Sequence, residues 1–335
     1  MNRSSTRTSQ RKPMKLLNQL LLTIAVCVTA HAAVADEPYP NKPVHITVPY
    51  SPGGPFDVLT RGLGQTLSVM WKQPVIVENR PGANEIIGAS FVAKSPPDGY
   101  NLLTTTESGI ITNAYLYRKL PYNPETDLAP VTHLVQVPEV LVVPASLPVN
   151  TLKEFIDHAK KNSINYSSSG LGGATHLPLA MLANEQGIQM THVPYKGAAP
   201  QIQDLLAGQV QLGAISASAV QQYISAGSLK GLAVSAPKRI PSLPQVPTFA
   251  EAGVNDVRAT FMIGMAAPAG TPDSVLQKIA RDVRTVLLDP EFRAKFIDPY
   301  AFNVIASSPS DYRAYLVKER PIQAERVRIS GAKLD

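Results

Sequence analysis

The sequence predicts an α/β protein of two lobes, each a mostly parallel sheet flanked by helices. Three observations carry this. The chain has 335 residues, 44% of them hydrophobic, enough for two cores of about 150 residues each rather than one. Short apolar runs alternate with stretches of helical spacing from Val44 onward, the order that builds parallel strands joined by crossover helices. The alternation comes as two series, the second starting near Val140.

In the first series, Val44-His45-Ile46-Thr47-Val48 alternates as a strand does and runs into Pro49-Tyr50-Ser51-Pro52-Gly53-Gly54-Pro55, whose prolines and glycines dictate a turn. Phe56, Leu59, Leu63, Leu67 and Met70 then recur at helical spacing. Val75-Ile76-Val77 is the next strand, Asn79-Arg80-Pro81-Gly82 a turn, and 84–94 the next helix. Pro96-Pro97-Asp98-Gly99 turns the chain into a strand at Leu102-Leu103-Thr104-Thr105. The second series opens on Val140-Leu141-Val142-Val143. Thr151-Leu152-Lys153-Glu154 is a capping box, in which hydroxyl and carboxylate satisfy the free N–H groups of a helix start; this helix runs to Lys161. Strands are predicted at 164–168, 190–194, 211–215 and 231–235, with helices between them, and Pro237 to Pro247 reads as an ordered surface loop. Phe261 to Ala267 reads as a strand within a connection between the lobes. It feeds a helix capped by Thr271, with Pro272 in the first turn and an end before Pro290. Ser308-Pro309 opens a last helix that Pro321 is expected to kink or end.

The net charge of +6 comes from one end. Five of the 31 basic residues and none of the 25 acidic ones fall in the first 35 positions, leaving 26 against 25 in the rest. No basic stripe follows, so the charge does not point to nucleic acid. The first segment reads as an export signal: a basic stretch, the apolar run Leu20 to Val28, and Ala33-Val34-Ala35 for cleavage before Asp36. That run is shorter than the ~20 residues that span a bilayer. Cys27, the one cysteine, leaves with it, so the mature chain has no disulfide and no thiolate nucleophile. No two of the histidines that remain stand at metal-ligand spacing, and neither a metal nor a cofactor is expected.

Ligands of such sheets sit beyond the carboxyl ends of strands, where strand-to-helix turns expose N–H groups. Two turns stand out. In Ser51-Pro52-Gly53-Gly54-Pro55-Phe56-Asp57 the glycines let the backbone approach a ligand, and the helix start favours negative charge; Asp57 caps those donors or accepts a hydrogen from a ligand. The plainer reading is a tight turn and nothing more. Ser167 to His176 repeats the theme with hydroxyls and glycines, but without the Gly-Lys-Ser/Thr ending of a phosphate loop or the spacing of a dinucleotide site. His176 with Ser168 or Ser169 also offers a rival reading, an exported hydrolase, although no G-x-S-x-G elbow occurs. Lys196, at the end of a strand, could attract an anion or simply be solvated.

The motifs resemble one family throughout the mature chain. Tyr39-Pro40, Pro52-Gly53-Gly54-Pro55-x-Asp57 with Arg61, and Val77-Glu78-Asn79-Arg80-Pro81-Gly82-Ala83 come first; Asp98-Gly99-Tyr100, Ser168-Ser169-Gly170 with His176, and Val193-Pro194-Tyr195-Lys196-Gly197 follow; Ala267-Pro268-Ala269-Gly270-Thr271-Pro272 closes the series. This order is similar to the Bug family, the periplasmic solute-binding components of tripartite tricarboxylate transporters. The resemblance implies a type II "Venus flytrap" whose lobes close on a small carboxylated solute and hand it to membrane permease subunits; a sensor for a signalling membrane protein is the variant of that role, and a monomer is the default. It implies a first-lobe turn of Gly53, Gly54, Pro55, Phe56 and Asp57 and a second-lobe turn of Ser168, Ser169, Gly170, Thr175 and His176. Thr106, Glu107 and Ser108 should face the cleft. Asp57, at a turn rather than in the core, should matter to binding more than to folding. The implied divisions are a cleaved signal over 1–35, a first lobe over 36–136, a second over 137–267, and C-terminal helices over 268–335 returning to the first. The sequence departs from the family at Phe56, where a small Thr or Ser is usual, at Asn84-Glu85 in place of a glycine-rich pair, and at Glu107, whose charge would repel a simple dicarboxylate unless the ligand carries an amine.

Overall fold

The computed structural model describes Met1 and residues 39–195, 197–254 and 261–334; the expected export signal and Lys196 lie outside the described residues. In chain order, β1 (Val44–Val48), α1 (Pro55–Trp71), β2 (Val75–Asn79), α2 (Ile86–Ala93) and β3 (Asn101–Thr105) form the first series. A π-helical turn over Ser108–Thr112 runs into the short α3 (Asn113–Leu116), followed by the long β4 (Leu128–Val137). The second series is β5 (Glu139–Pro144), α4 (Leu152–Ala159), β6 (Ile164–Ser168), α5 (Leu177–Gln186), β7 (Met190–Pro194), α6 (Ala198–Leu206), β8 (Leu212–Ser216), α7 (Ala217–Ser225) and β9 (Leu229–Val234). Then come β10 (Phe261–Pro268), α8 (Asp273–Leu288), α9 (Pro290–Phe296), β11 (Asn303–Val304) and α10 (Pro309–Ser330).

These elements make two sheets, ordered β11-β4-β10-β3-β1-β2 and β7-β6-β8-β5-β9. In the first, β1 pairs in parallel with β2 and β3, while β10 runs antiparallel between β3 and β4. In the second, β6 is parallel to β7 and β8, and β5 is antiparallel to β8 and β9. Both sheets are mixed: β1, β2 and β3 in the first and β6, β7 and β8 in the second are parallel, while β10 and β5, the strands that enter from the other lobe, run antiparallel to both their neighbours. The first crossing is a single residue, Pro138, between β4 and β5. Val140 and Val142 of β5 pack into one buried cluster and Leu141 and Val143 into another, the period-2 signature of a strand covered on both faces.

Several expectations need correction. Phe261–Pro268 belongs to the first sheet, so the second lobe does not extend to 267. Met70 is 41% exposed and Trp71 takes the buried position, because a 3.6-residue turn beyond Leu67 falls between the two. The helix expected from 84 starts at Ile86: Ala83, Asn84 and Glu85 all have positive φ (46°, 50° and 75°), outside the helical region. The Thr271 hydroxyl donates to the Pro268 carbonyl instead of capping, and Pro272 is the N-cap of α8. Pro290 starts a further helix, capped by Asp289. The last helix continues through Pro321 to Ser330. It does not merely return to the first lobe: it packs on β4, on the π turn and on α5 of the second lobe.

Candidate functional site

The first-lobe turn is locked from within. Asp57 is 3% exposed and its carboxylate is fully engaged: Oδ2 accepts from the Gly53 N–H (3.0 Å) and Arg61 Nε (3.0 Å), and Oδ1 accepts from Asn79 Nδ2 (2.8 Å). Burial pushes the Asp57 carboxyl up, but these hydrogen bonds and the Arg61 charge outweigh it and hold the group below its usual range. The expectation that Asp57 meets a ligand is therefore corrected; it ties the turn after β1 to the end of β2. Phe56 is also turned inward, its ring 4.9 Å from that of Tyr50 and only 7% exposed. What the turn presents is backbone. Nothing lies within 4 Å of where a Cβ would stand on Gly53 or Gly54, and Pro55 opens the helix with no N–H to satisfy.

Behind the turn lies a carboxylate that sequence reasoning treated only as a departure. Glu85 Oε1 accepts from the Tyr50 hydroxyl (2.6 Å), and Oε2 accepts from Thr105 Oγ1 (2.6 Å) and the Thr106 N–H (3.1 Å). The Thr106 hydroxyl donates to Oε1 and in turn accepts from the Ser108 N–H. Burial raises the Glu85 carboxyl above its ordinary value against the pull of these donors. Thr106 is thus occupied with Glu85. Glu107 is buried too; its Oε1 accepts from the Met262 N–H (2.8 Å), while Oε2 has no hydrogen-bond partner among the described residues.

In the second lobe the Ser169 N–H donates to Thr175 Oγ1 (2.9 Å), and Ser168 Oγ accepts from the Gly170 N–H (3.2 Å), which closes the turn on itself. Gly170 has φ of +140° and open space where a Cβ would stand. His176 is buried, and its Nδ1 accepts from the Gly172 N–H (3.1 Å). Its ring lies 3.9 Å from that of His192 and stacks on Tyr166. Burial, with the neighbouring His192, pushes His176 down to about 3, so both imidazoles stay neutral near pH 7. Ser168 pairs with Nε2 of His192 (2.5 Å), not with His176. That removes the pairing on which the hydrolase reading rested, and neither imidazole is oriented by a carboxylate among the described residues, as a triad would require. His192 was missed because only the parallel register of β6 and β7, with Tyr166 beside His192, brings it to the turn.

The lobes meet beside the second-lobe turn. A small cleft is lined by Glu107, Ser108 and Thr112 of the first lobe, by Gly172 and Ala174 at the second-lobe turn, and by Gln323 and Arg326 of α10. Leu116, Leu177, Val327 and Ala332 form an apolar cluster joining both lobes to the last helix. Among the described residues, no group of three or more His, Cys, Asp or Glu side chains is placed to hold a metal.

The model of the family described as "Tripartite tricarboxylate transporter family receptor" matches residues 59–327. The chain belongs to this receptor family. BugT of Bordetella pertussis is 33% identical to the receptor over 95% of this chain and 99% of BugT. The solved structure of R. palustris Rpa4515 with adipate is 33% identical with a TM-score of 0.79, covering 88% of this chain and all of that one. MatC from Rhodopseudomonas palustris with bound malate is 26% identical with a TM-score of 0.75, covering 86% of this chain and all of that one. The receptor thus shares the two-lobed fold of periplasmic binding proteins, and the Bug resemblance read from its motifs holds.

Proposed function

We propose that this receptor is a periplasmic solute-binding protein that captures a small dicarboxylate between its lobes and delivers it to the membrane subunits of a tripartite transporter. The observation that carries the reading is the pair of relatives holding adipate and malate, both dicarboxylates, on the same fold. The geometry supports it. Gly53, Gly54 and Gly170 leave open space in front of two strand-to-helix turns, and helix starts favour carboxylates through free N–H groups and the dipole. Asp57, Thr175 and His176 shape those turns from behind; Ser108 lies at the cleft. No helix among the described residues is long and apolar enough to cross a membrane. The role is binding, not turnover.

Isothermal titration of the mature protein with succinate, malate, adipate and citrate tests this. One of these acids should bind one-to-one and be recovered unchanged. No binding by any of them, together with no acid released when the protein is denatured, would overturn it.

A further inference from the structure

Four donors converge on the two oxygens of Glu85. The Tyr50 hydroxyl (2.6 Å) and the Thr106 hydroxyl serve Oε1; the Thr105 hydroxyl (2.6 Å) and the Thr106 N–H (3.1 Å) serve Oε2. That is the number an ionised carboxylate accepts, and all four are neutral, so the cradle suits a carboxylate and not a cation. Its place in the fold is where solutes sit in such sheets. Tyr50 lies two residues past β1, and Thr106 directly follows β3, the parallel neighbour of β1, so the donors stand at the carboxyl ends of adjacent strands. Tyr50 also borders the first-lobe turn: its ring is 4.9 Å from that of Phe56, and its carbonyl accepts from Asn79, which holds Asp57. The carboxylate reaches this place from a strained backbone. Ala83, Asn84 and Glu85 have positive φ in succession, which glycine adopts readily and glutamate does not. What the glutamate brings there is its carboxylate, since its side chain caps no N–H of α2. Glu85 is buried, but Tyr50 and Ala83 are exposed, so the cradle lies just below the surface.

We propose that these donors form a carboxylate subsite of the first lobe which the receptor fills with its own Glu85, and that Glu85 thereby excludes solutes bearing a further carboxylate at that point. This rests on the dicarboxylate reading above and assigns a specificity-determining residue within it. Two solute carboxylates are taken at the glycine turns of the two lobes; a third, as in citrate, meets Glu85 instead of free donors. The exclusion has two physical parts. Each hydroxyl has one hydrogen and each is already given, as is the Thr106 N–H, so nothing is left to bind a second anion. A second carboxylate beside Glu85 also adds like-charge repulsion away from water. The fit around the side chain is close: a Cβ built on Gly109, in the π turn, would lie 2.7 Å from Oε2. Removing the side chain therefore leaves a small hole lined by the same four donors, and a free carboxylate should enter it.

The test uses the full receptor with Glu85→Gly, which suits the positive φ, and Glu85→Gln, which keeps the space filled. Thermal unfolding is followed in acetate and in chloride at equal ionic strength, about 100 mM. Acetate should raise the melting temperature of Glu85→Gly by a few degrees more than that of wild type or Glu85→Gln, by binding the folded state in the vacated cradle. Should Glu85→Gly not fold in chloride, refolding from urea decides: recovery in acetate alone supports the cradle, and recovery in neither salt overturns it. Isothermal titration with succinate, malate, adipate and citrate then reads the exclusion. Wild type and Glu85→Gln should prefer a dicarboxylate, and Glu85→Gly should shift the preference toward citrate by about tenfold or more. An acetate response no larger than that of wild type, or an unchanged preference in Glu85→Gly, overturns the proposal and leaves the dicarboxylate reading standing. Absence of dicarboxylate binding by wild type overturns both.

Discussion

Asp57 joins three segments that the chain must hold together before a solute can approach: the Gly53 N–H in the turn, Arg61 one helical turn later, and Asn79 at the end of β2. Arg61 in turn donates to the Asn79 side-chain carbonyl and to the Val77 carbonyl. Asp57→Ala takes an acceptor from the exposed Gly53 N–H and from the Asn79 amide, which keeps the Tyr50 carbonyl, and removes the counter-charge of a half-exposed guanidinium, so it should cost about 1–2 kcal/mol of folding free energy at pH 7. Urea unfolding at pH 7 checks this; a variant within 0.5 kcal/mol of wild type, marginal as about that figure is for a surface site, would show the clamp to be unimportant. The carboxyl sits below its unfolded value of 3.8, so its contribution is present above that pH and is lost as pH falls through the folded value. The difference between variant and wild type should therefore shrink in acid. At this scale the sequence exposed the glycines and hydroxyls of both turns, because φ preference and side-chain chemistry are local. It hid which way the side chains face. Asp57 and Phe56 turn inward, and Glu85 and His192 reach the turns only through strand register and the positive-φ run at 83–85.

The last helix is an element whose sequence argues against it. Pro321 lacks the N–H that would reach the Val317 carbonyl, yet α10 runs on to Ser330. Val317 is 56% exposed, so water can take the freed carbonyl, while Tyr312, Leu316 and Val327 hold the buried face on either side. Pro321 itself is exposed. Pro321→Ala should therefore stabilise the protein, by about 1–3 kcal/mol, through the restored hydrogen bond and relief of ring crowding. Thermal unfolding reads the change; a lower melting temperature would mean that the proline is required for α10 to touch both lobes. The same competition between local signal and tertiary packing explains what else the sequence concealed. The strands of the two βαβ series were legible because most are short apolar or alternating runs with a turn residue at the end, as in β1 before Pro49, β2 ending on Asn79, and β5 and β7 ending on Pro144 and Pro194. The long β4 was not, because Leu128–Val137 is buried on nearly every residue and carries Pro130, Thr132, His133 and Gln136, so it shows neither alternation nor an unbroken apolar run. Pro130 is tolerated where the pairing with β10 shifts register beside Ala266, a break in the ladder that asks for no donor.

For the whole molecule, the consequence of two crossings between lobes is that closure depends on how closely the lobes can meet. The contact is made at Gly172. Its φ is +72°, and a Cβ built there would lie 2.5 Å from Cδ1 of Leu116, on the opposite lobe. Leu116 cannot simply yield, since it is 2% exposed and packed with Leu177, Val327 and Ala332. Gly172→Val therefore places a branched side chain where none fits, on a backbone conformation that valine resists. The two sheets and their cores are untouched by the change, so secondary structure should stay as in wild type while the lobes are held apart. A solute that binds the closed form loses affinity in proportion to the closed population, and about tenfold weaker dicarboxylate binding is expected. Small-angle scattering at saturating ligand should give a larger radius of gyration than wild type. The double variant Gly172→Val with Leu116→Ala makes room across the interface and should recover part of the affinity, which separates a steric wedge from a misfolded turn. If the double variant binds no better than Gly172→Val alone, the loss arises within the second-lobe turn, and the contact between Gly172 and Leu116 does not govern closure.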